Sequence, residues 1–202
     1  MPLVRGGYPV NHAIRKFTGG LANVAQANLA ARSNQEWLGV ASADTAAIAA
    51  SGVAVAVAIP VEVGDVISRV SVLVGATAAG TPTNAFAAVY SGLAVPALLA
   101  QSTSTGAGAV AASGLFSFTL ATPVTVTNVN APNGYLYASL AFAATVMPSV
   151  GTTLVAAAVG YKAFANSPLF MAATHGSALS TVAPATIATP ATIATVPVVY
   201  LT

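Results

Sequence analysis

The side chains able to do chemistry in this chain are few and scattered. Its four acids are Glu36, Asp44, Glu62 and Asp65, and the last two flank Val63-Gly64, a spacing that could set two carboxylates face to face. A glycosidase works with such a pair. Acids beside a tight turn also follow from solvation and turn geometry alone, and the plainer reading is that Glu62 pairs with Arg69 across a hairpin. The histidines, His12 and His175, stand far apart with no carboxylate at ligand spacing near either. A metal site wants three or four converging ligands, so each His reads as a hydrogen-bonding residue at a surface or interface.

Other signatures fail residue by residue. The stretch from Gly75 to Pro82 has the glycine spacing of a phosphate loop but no Lys after Gly80, and Pro82 lacks an N–H to donate. It reads as a hairpin loop. No Gly-x-Ser-x-Gly elbow presents a serine, and the absence of Cys excludes disulfides and thiolate metal sites. Trp37, Tyr90, Tyr135, Tyr137, Tyr161 and Tyr200 could stack on a sugar, but core and subunit packing is the more ordinary use of such aromatics. No catalytic residue, cofactor or metal ligand is assigned, and no enzyme is expected.

Charge narrows the class further. Charged residues make up 5% of the 202 positions, against roughly a quarter in soluble globular proteins. None falls between Val70 and Tyr161. Six cations against four acids are too few for a phosphate-binding face, so nucleic acid is not an expected partner. A spanning helix needs about 20 mostly apolar residues, and Gly, Pro, Ser, Thr and Asn interrupt every apolar run sooner. Ala stands where a lipid-facing barrel would need large apolar side chains. No apolar run after Arg5, Arg15 and Lys16 suggests a secretory signal. What remains is a subunit whose surface is largely covered by partners.

The elements that would position these residues are strands. Residues 1–36 hold four of the cations and read as an anchoring arm, with a short helix over 21–32 and partner contacts from Arg5, Tyr8, His12, Arg15, Lys16 and Phe17. Residues 37–202 read as one β-sandwich, jelly-roll-like and antiparallel, with strands near 37–41, 53–61, 66–74, 84–91, 97–101, 115–120, 123–129, 135–143, 153–160 and 196–201. In the stretch 53–59, Val53, Val55, Val57 and Ile59 share one face and Ala54, Ala56 and Ala58 the other. Neither face prefers water. Ala54, Ala56 and Ala58 are therefore expected to pack closely against another layer or subunit, with a subunit interface assigned to them and to Tyr135 and Tyr137, which the polar-side parity of 135–142 leaves for an interface or a rim, while Leu136, Leu140, Phe142, Phe116, Phe118 and Leu120 form the core. The repeat Pro184-Ala-Thr-Ile-Ala-Thr-Pro190-Ala-Thr-Ile-Ala-Thr cannot be helical and reads as a loop or subunit-crossing segment.

The stretch from Val63 to Thr83, together with Ala88-Val-Tyr-Ser91, the run Pro96–Ser102 and Pro184–Pro190, resembles small Ala- and Thr-rich β-sandwich virion proteins of tailed phages that infect actinobacteria. The resemblance covers roughly residues 37–201 and supplies no functional residues. It implies a structural, non-enzymatic role, a virion location after assembly in the host cytoplasm, and frequently a homotrimer. Some members decorate the head or act as minor capsid proteins, and others are minor tail proteins. The expectation is a capsid-decorating or cementing protein that binds the major capsid protein through its arm. The alternative is a minor tail or baseplate protein contacting the host envelope, and glycan binding belongs to that alternative alone.

Overall fold

Alternating β-branched residues pair up where their period of two places them. The computed structural model of the chain describes residues 32–33, 42–47, 49–105, 110–154, 171–193 and 195–202. They form two antiparallel sheets, a β-sandwich. The first contains β1 (Arg32–Ser33), β2 (Ser42–Ala47), β4 (Val66–Val74), β7 (Gly114–Thr125), β9 (Ser149–Leu154), β12 (Thr195–Pro197) and β13 (Val199–Leu201). The second runs in the order β11 (Ala191–Thr192), β10 (Ala172–His175), β3 (Ala54–Pro60), β8 (Tyr135–Ala143), β5 (Asn84–Tyr90) and β6 (Leu98–Gln101).

The main core lies between the sheets. Val55, Val57 and Ile59 of β3 and Leu136, Leu140 and Phe142 of β8 face Val70, Val72 and Val74 of β4 and Phe118 and Leu120 of β7. Burying each large side chain contributes roughly 1.5–3 kcal/mol. The expected parity therefore holds on these strands. The two pieces read as 115–120 and 123–129 are one strand, β7, whose pairing with β4 shifts register between Ile67 and Arg69. The shift falls opposite Leu120–Pro123, where proline cannot donate to the ladder. The piece read as 153–160 starts earlier, at Ser149. The strand over 37–41 lies outside the described residues, as does the helix over 21–32 except for Arg32, which is in a strand.

The other face of the second sheet is covered from within the chain. Leaving β10 at Gly176, residues 176–190 cross over it and return to β11, which pairs with β10 through Ala173↔Thr192 and Thr174↔Ala191. Backbone bonds hold the crossing: Leu179 N–H to Gly52 at 2.9 Å, Leu98 N–H to Ala185 at 2.9 Å, and Ile187 N–H to Pro96 at 2.9 Å. The repeat inside it puts its two isoleucines in different places. Ile187 packs with Ala54, Ala56, Ala58, Phe86, Tyr90, Tyr135 and Tyr137, whereas Ile193 packs against the main core. The second copy then passes into the first sheet as β12. The segment read as a loop or subunit crossing thus joins the two sheets of one chain, and the fold has three layers.

Candidate functional site

Two places gather the polar and charged residues. The first is where β1 enters the body. Arg32 and Ser33 pair with Leu201 and Tyr200 of β13, so the chain before Arg32 meets the sandwich beside the last strand. The Arg32 guanidinium donates from Nε to Asp65 Oδ2 at 2.7 Å and from Nη2 to Asp65 Oδ1 at 3.0 Å. Its Nη2 also lies 3.3 Å from Glu62 Oε2. Asp65 further accepts the Glu62 N–H at 2.9 Å. Such a two-pronged Arg–carboxylate pair fixes orientation as well as position. Among the described residues Glu62 thus pairs with Arg32, where Arg69 was expected. Two carboxylates tied to one guanidinium and one turn serve as a clamp.

That clamp sits at one end of the sandwich. Pro60 lies opposite Tyr135 and Val66 opposite Thr125, so the connections 61–65, 91–97 and 126–134 gather there. They are stitched together: Val61 N–H to Gly134, Gly64 N–H to Val126, and Gly92 N–H to Asn130, at 2.8–2.9 Å. Gly92 is required for this closeness, since a Cβ there would lie 2.2 Å from the Tyr135 carbonyl oxygen. The platform exposes Val63, Val66, Leu93, Val95 and Val129, the last to 82%. Single exposed aliphatics are ordinary, whereas a contiguous patch of them is the usual mark of a contact surface.

The second place is under the crossing segment. His175 is 4% exposed, which corrects its assignment to a surface or interface. Its Nε2 is 2.8 Å from Ser139 Oγ, and its Nδ1 is buried with no hydrogen-bond partner among the described residues. The ring stands edge-on to Tyr90, with centroids 5.5 Å apart. Ala54 is the register partner of His175, and Ala56 that of Ser139. These small side chains leave room for an imidazole to reach across β3 to β8. Tyr90 donates its hydroxyl to the Pro184 carbonyl at 2.9 Å. Burial pushes the Tyr90 phenol up and holds the His175 imidazole down at about 4, where 6.5 is ordinary.

The five interface residues read from sequence are thereby placed inside the chain. Ala54, Ala56, Ala58, Tyr135 and Tyr137 are each at most 5% exposed, so they have no surface left to offer a second subunit. The layer packed on the alanines is the chain's own residues 176–190. Burial also removes Tyr90, Tyr135 and Tyr137 from the sugar-stacking candidates. Trp37, Tyr161 and the arm residues Arg5, Tyr8, His12, Arg15, Lys16 and Phe17 lie outside the described residues. In the Gly75–Pro82 loop, Ala79 N–H donates to the Val110 carbonyl, Gly80 N–H to the Val146 carbonyl and Thr77 N–H to Ser149 Oγ, leaving none of the three to face an anion. Among the described residues no three His, Asp or Glu side chains group as a metal site, and no helix is long and apolar enough to cross a membrane.

Sequence reasoning missed the Ser139–His175 pair because its members are 36 positions apart on strands that are not neighbours in sequence. The signal available was parity, which put Ser139 on the tyrosine side of β8. The chain matches no protein-family model and no curated protein sequence.

Proposed function

We propose that this protein is a structural subunit of a bacteriophage virion, a homotrimer that decorates or cements the capsid and is held to the major capsid protein by its N-terminal arm. The observation that carries the reading is the arm root. Arg32, clamped to Asp65 and Glu62, delivers the preceding chain to the end of the sandwich that exposes Val63, Val66, Leu93, Val95 and Val129. An anchor leaving from that end would bring an apolar platform against the shell. The sequence resemblance and the 5% charge support the same reading, since a surface this poor in charge suits an assembly better than a solitary life in water.

The deciding experiment is to locate the chain in a density map of the whole virion and to measure binding of the purified full chain to particles that lack it. Density on the head and saturable binding are expected. Density confined to the tail would overturn the capsid assignment.

A further inference from the structure

We infer that residues 176–190 form a pH-gated cover over the alanine face of the second sheet, closed while His175 is neutral and released when its imidazole is protonated. Its ends are close, as in an Ω-loop, and its Leu179, Ala183 and Ile187 pack on the sheet beneath. Its two ends continue into β10 and β11, which are hydrogen-bonded to each other at Thr174↔Ala191. Lifting it breaks the Ala97↔Thr186 bridge at the β6 edge and the Leu179–Gly52 bond, and leaves the named strands of both sheets paired with one another. Gly176 has φ of 66°, a backbone state open to glycine at little cost, and stands directly after His175.

Neutral imidazole suits this pocket. One ring nitrogen exchanges a hydrogen bond with Ser139, and the other has no partner among the described residues. Protonation makes both nitrogens donors, so a charged ring would bury an N–H with nothing to receive it, away from water. Among the described elements packed around it, no other group absorbs that charge. By sequence, β3, β5, β8, β10, β11 and the cover itself contain no Asp, Glu, Lys or Arg. Tyrosines are the only other titratable side chains there: Tyr90, Tyr135 and Tyr137. Of these, Tyr90 stands edge-on to His175 and holds the cover through the Pro184 carbonyl. Movement of the imidazole toward water therefore presses first on one of the residues that hold the cover, beside Gln101, which accepts the Ala183 N–H and donates to the Thr181 carbonyl, and the backbone bonds to Gly52, Pro96 and Leu98.

The sign follows from the two states. With the cover open the imidazole takes its ordinary value near 6.5, and with it closed about 4. Above pH 6.5 neither state binds the proton and the cover is at its most stable. Between 6.5 and 4 only the open state binds it, so closure weakens about tenfold per pH unit. Below 4 both are protonated and the loss levels off.

The test is hydrogen exchange of the full chain, corrected for intrinsic rates, from pH 7.5 to 4.5. Opening of the Leu179, Ala183 and Ile187 amides should rise roughly 100-fold, with the core amides of Val55 and Leu140 unchanged. His175→Gln keeps an amide near Ser139 and cannot titrate, so its cover should open equally at all pH values. The wild-type imidazole, followed by NMR, should titrate well below 6. A cover that stays closed at pH 4.5, the same rise in His175→Gln, or an imidazole titrating near 6.5 with the cover shut would each overturn the inference. Because the measurement uses the free chain, its outcome is independent of any binding to phage particles.

Discussion

Ala56 shows what a single small side chain does here. It lies opposite Ser139 on one side and Ala173 on the other, under Ile187 and Tyr137 in the same cluster, with no exposed surface. A larger residue must push the covering layer away. Ala56→Leu should lower stability of the isolated chain by roughly 1–3 kcal/mol, the usual cost of overpacking, read from urea unfolding. Were the alanine face a subunit interface, the isolated chain would be unchanged and only assembly would suffer. Gly92 makes the matching case for backbone. Gly92→Ala brings a methyl to 2.2 Å from the Tyr135 carbonyl oxygen, and the 91–97 connection must shift. A loss of about 1–3 kcal/mol is expected, seen as a lower urea midpoint with an unchanged slope.

Elements give the repeat its meaning. Ile187 and Ile193 occupy the same position in two copies of Pro-Ala-Thr-Ile-Ala-Thr, yet the first is fully buried on the alanine face and the second is partly buried against the main core. Ile187→Ala should cost roughly 2–5 kcal/mol and Ile193→Ala distinctly less, compared by thermal or urea unfolding. Equal costs would mean that the copies pack alike. The long strands were readable from sequence because their valines, leucines and phenylalanines alternate: Ala54–Pro60, Val66–Val74 and Tyr135–Ala143 fall where parity put them. The tail was not, because Ala and Thr suit an exposed loop as well as a covering layer, and two-residue strands such as β1 and β11 leave no periodic signal. The alanine face was read as covered by another layer or subunit, and the layer is the chain's own, so the interface assigned to Ala54, Ala56 and Ala58 is corrected. Periodicity says that a face is buried and not which chain buries it. Arg32 was likewise read as part of the arm, since an ion pair to Asp65, 33 positions on, has no local signature.

At the scale of the whole molecule, the ends of the sandwich differ. One carries the arm root and the platform of Val63, Val66, Leu93, Val95 and Val129, with Glu62 and Asp65 both engaged by Arg32. The other, where β4 and β8 finish, exposes Leu73, Leu115 and Val146 and has no such ion-pair clamp among the described residues. Desolvating a Val side chain is worth up to about 1.5–3 kcal/mol at a packed contact, and placing a Lys there instead leaves an uncompensated charge in the interface. Val63→Lys combined with Val129→Lys should therefore weaken binding to phage particles at least tenfold, a change of about 1.4 kcal/mol. The fold should tolerate both, since Val63 is 60% and Val129 82% exposed. Val146→Lys, also exposed, should bind within a factor of about two of the parent chain, as surface changes outside a contact usually do. The reverse pattern would place the contact at the opposite end and make the arm a tether. If the platform double variant bound normally but changed the mass of the free protein in solution, the platform would belong to the contact between copies.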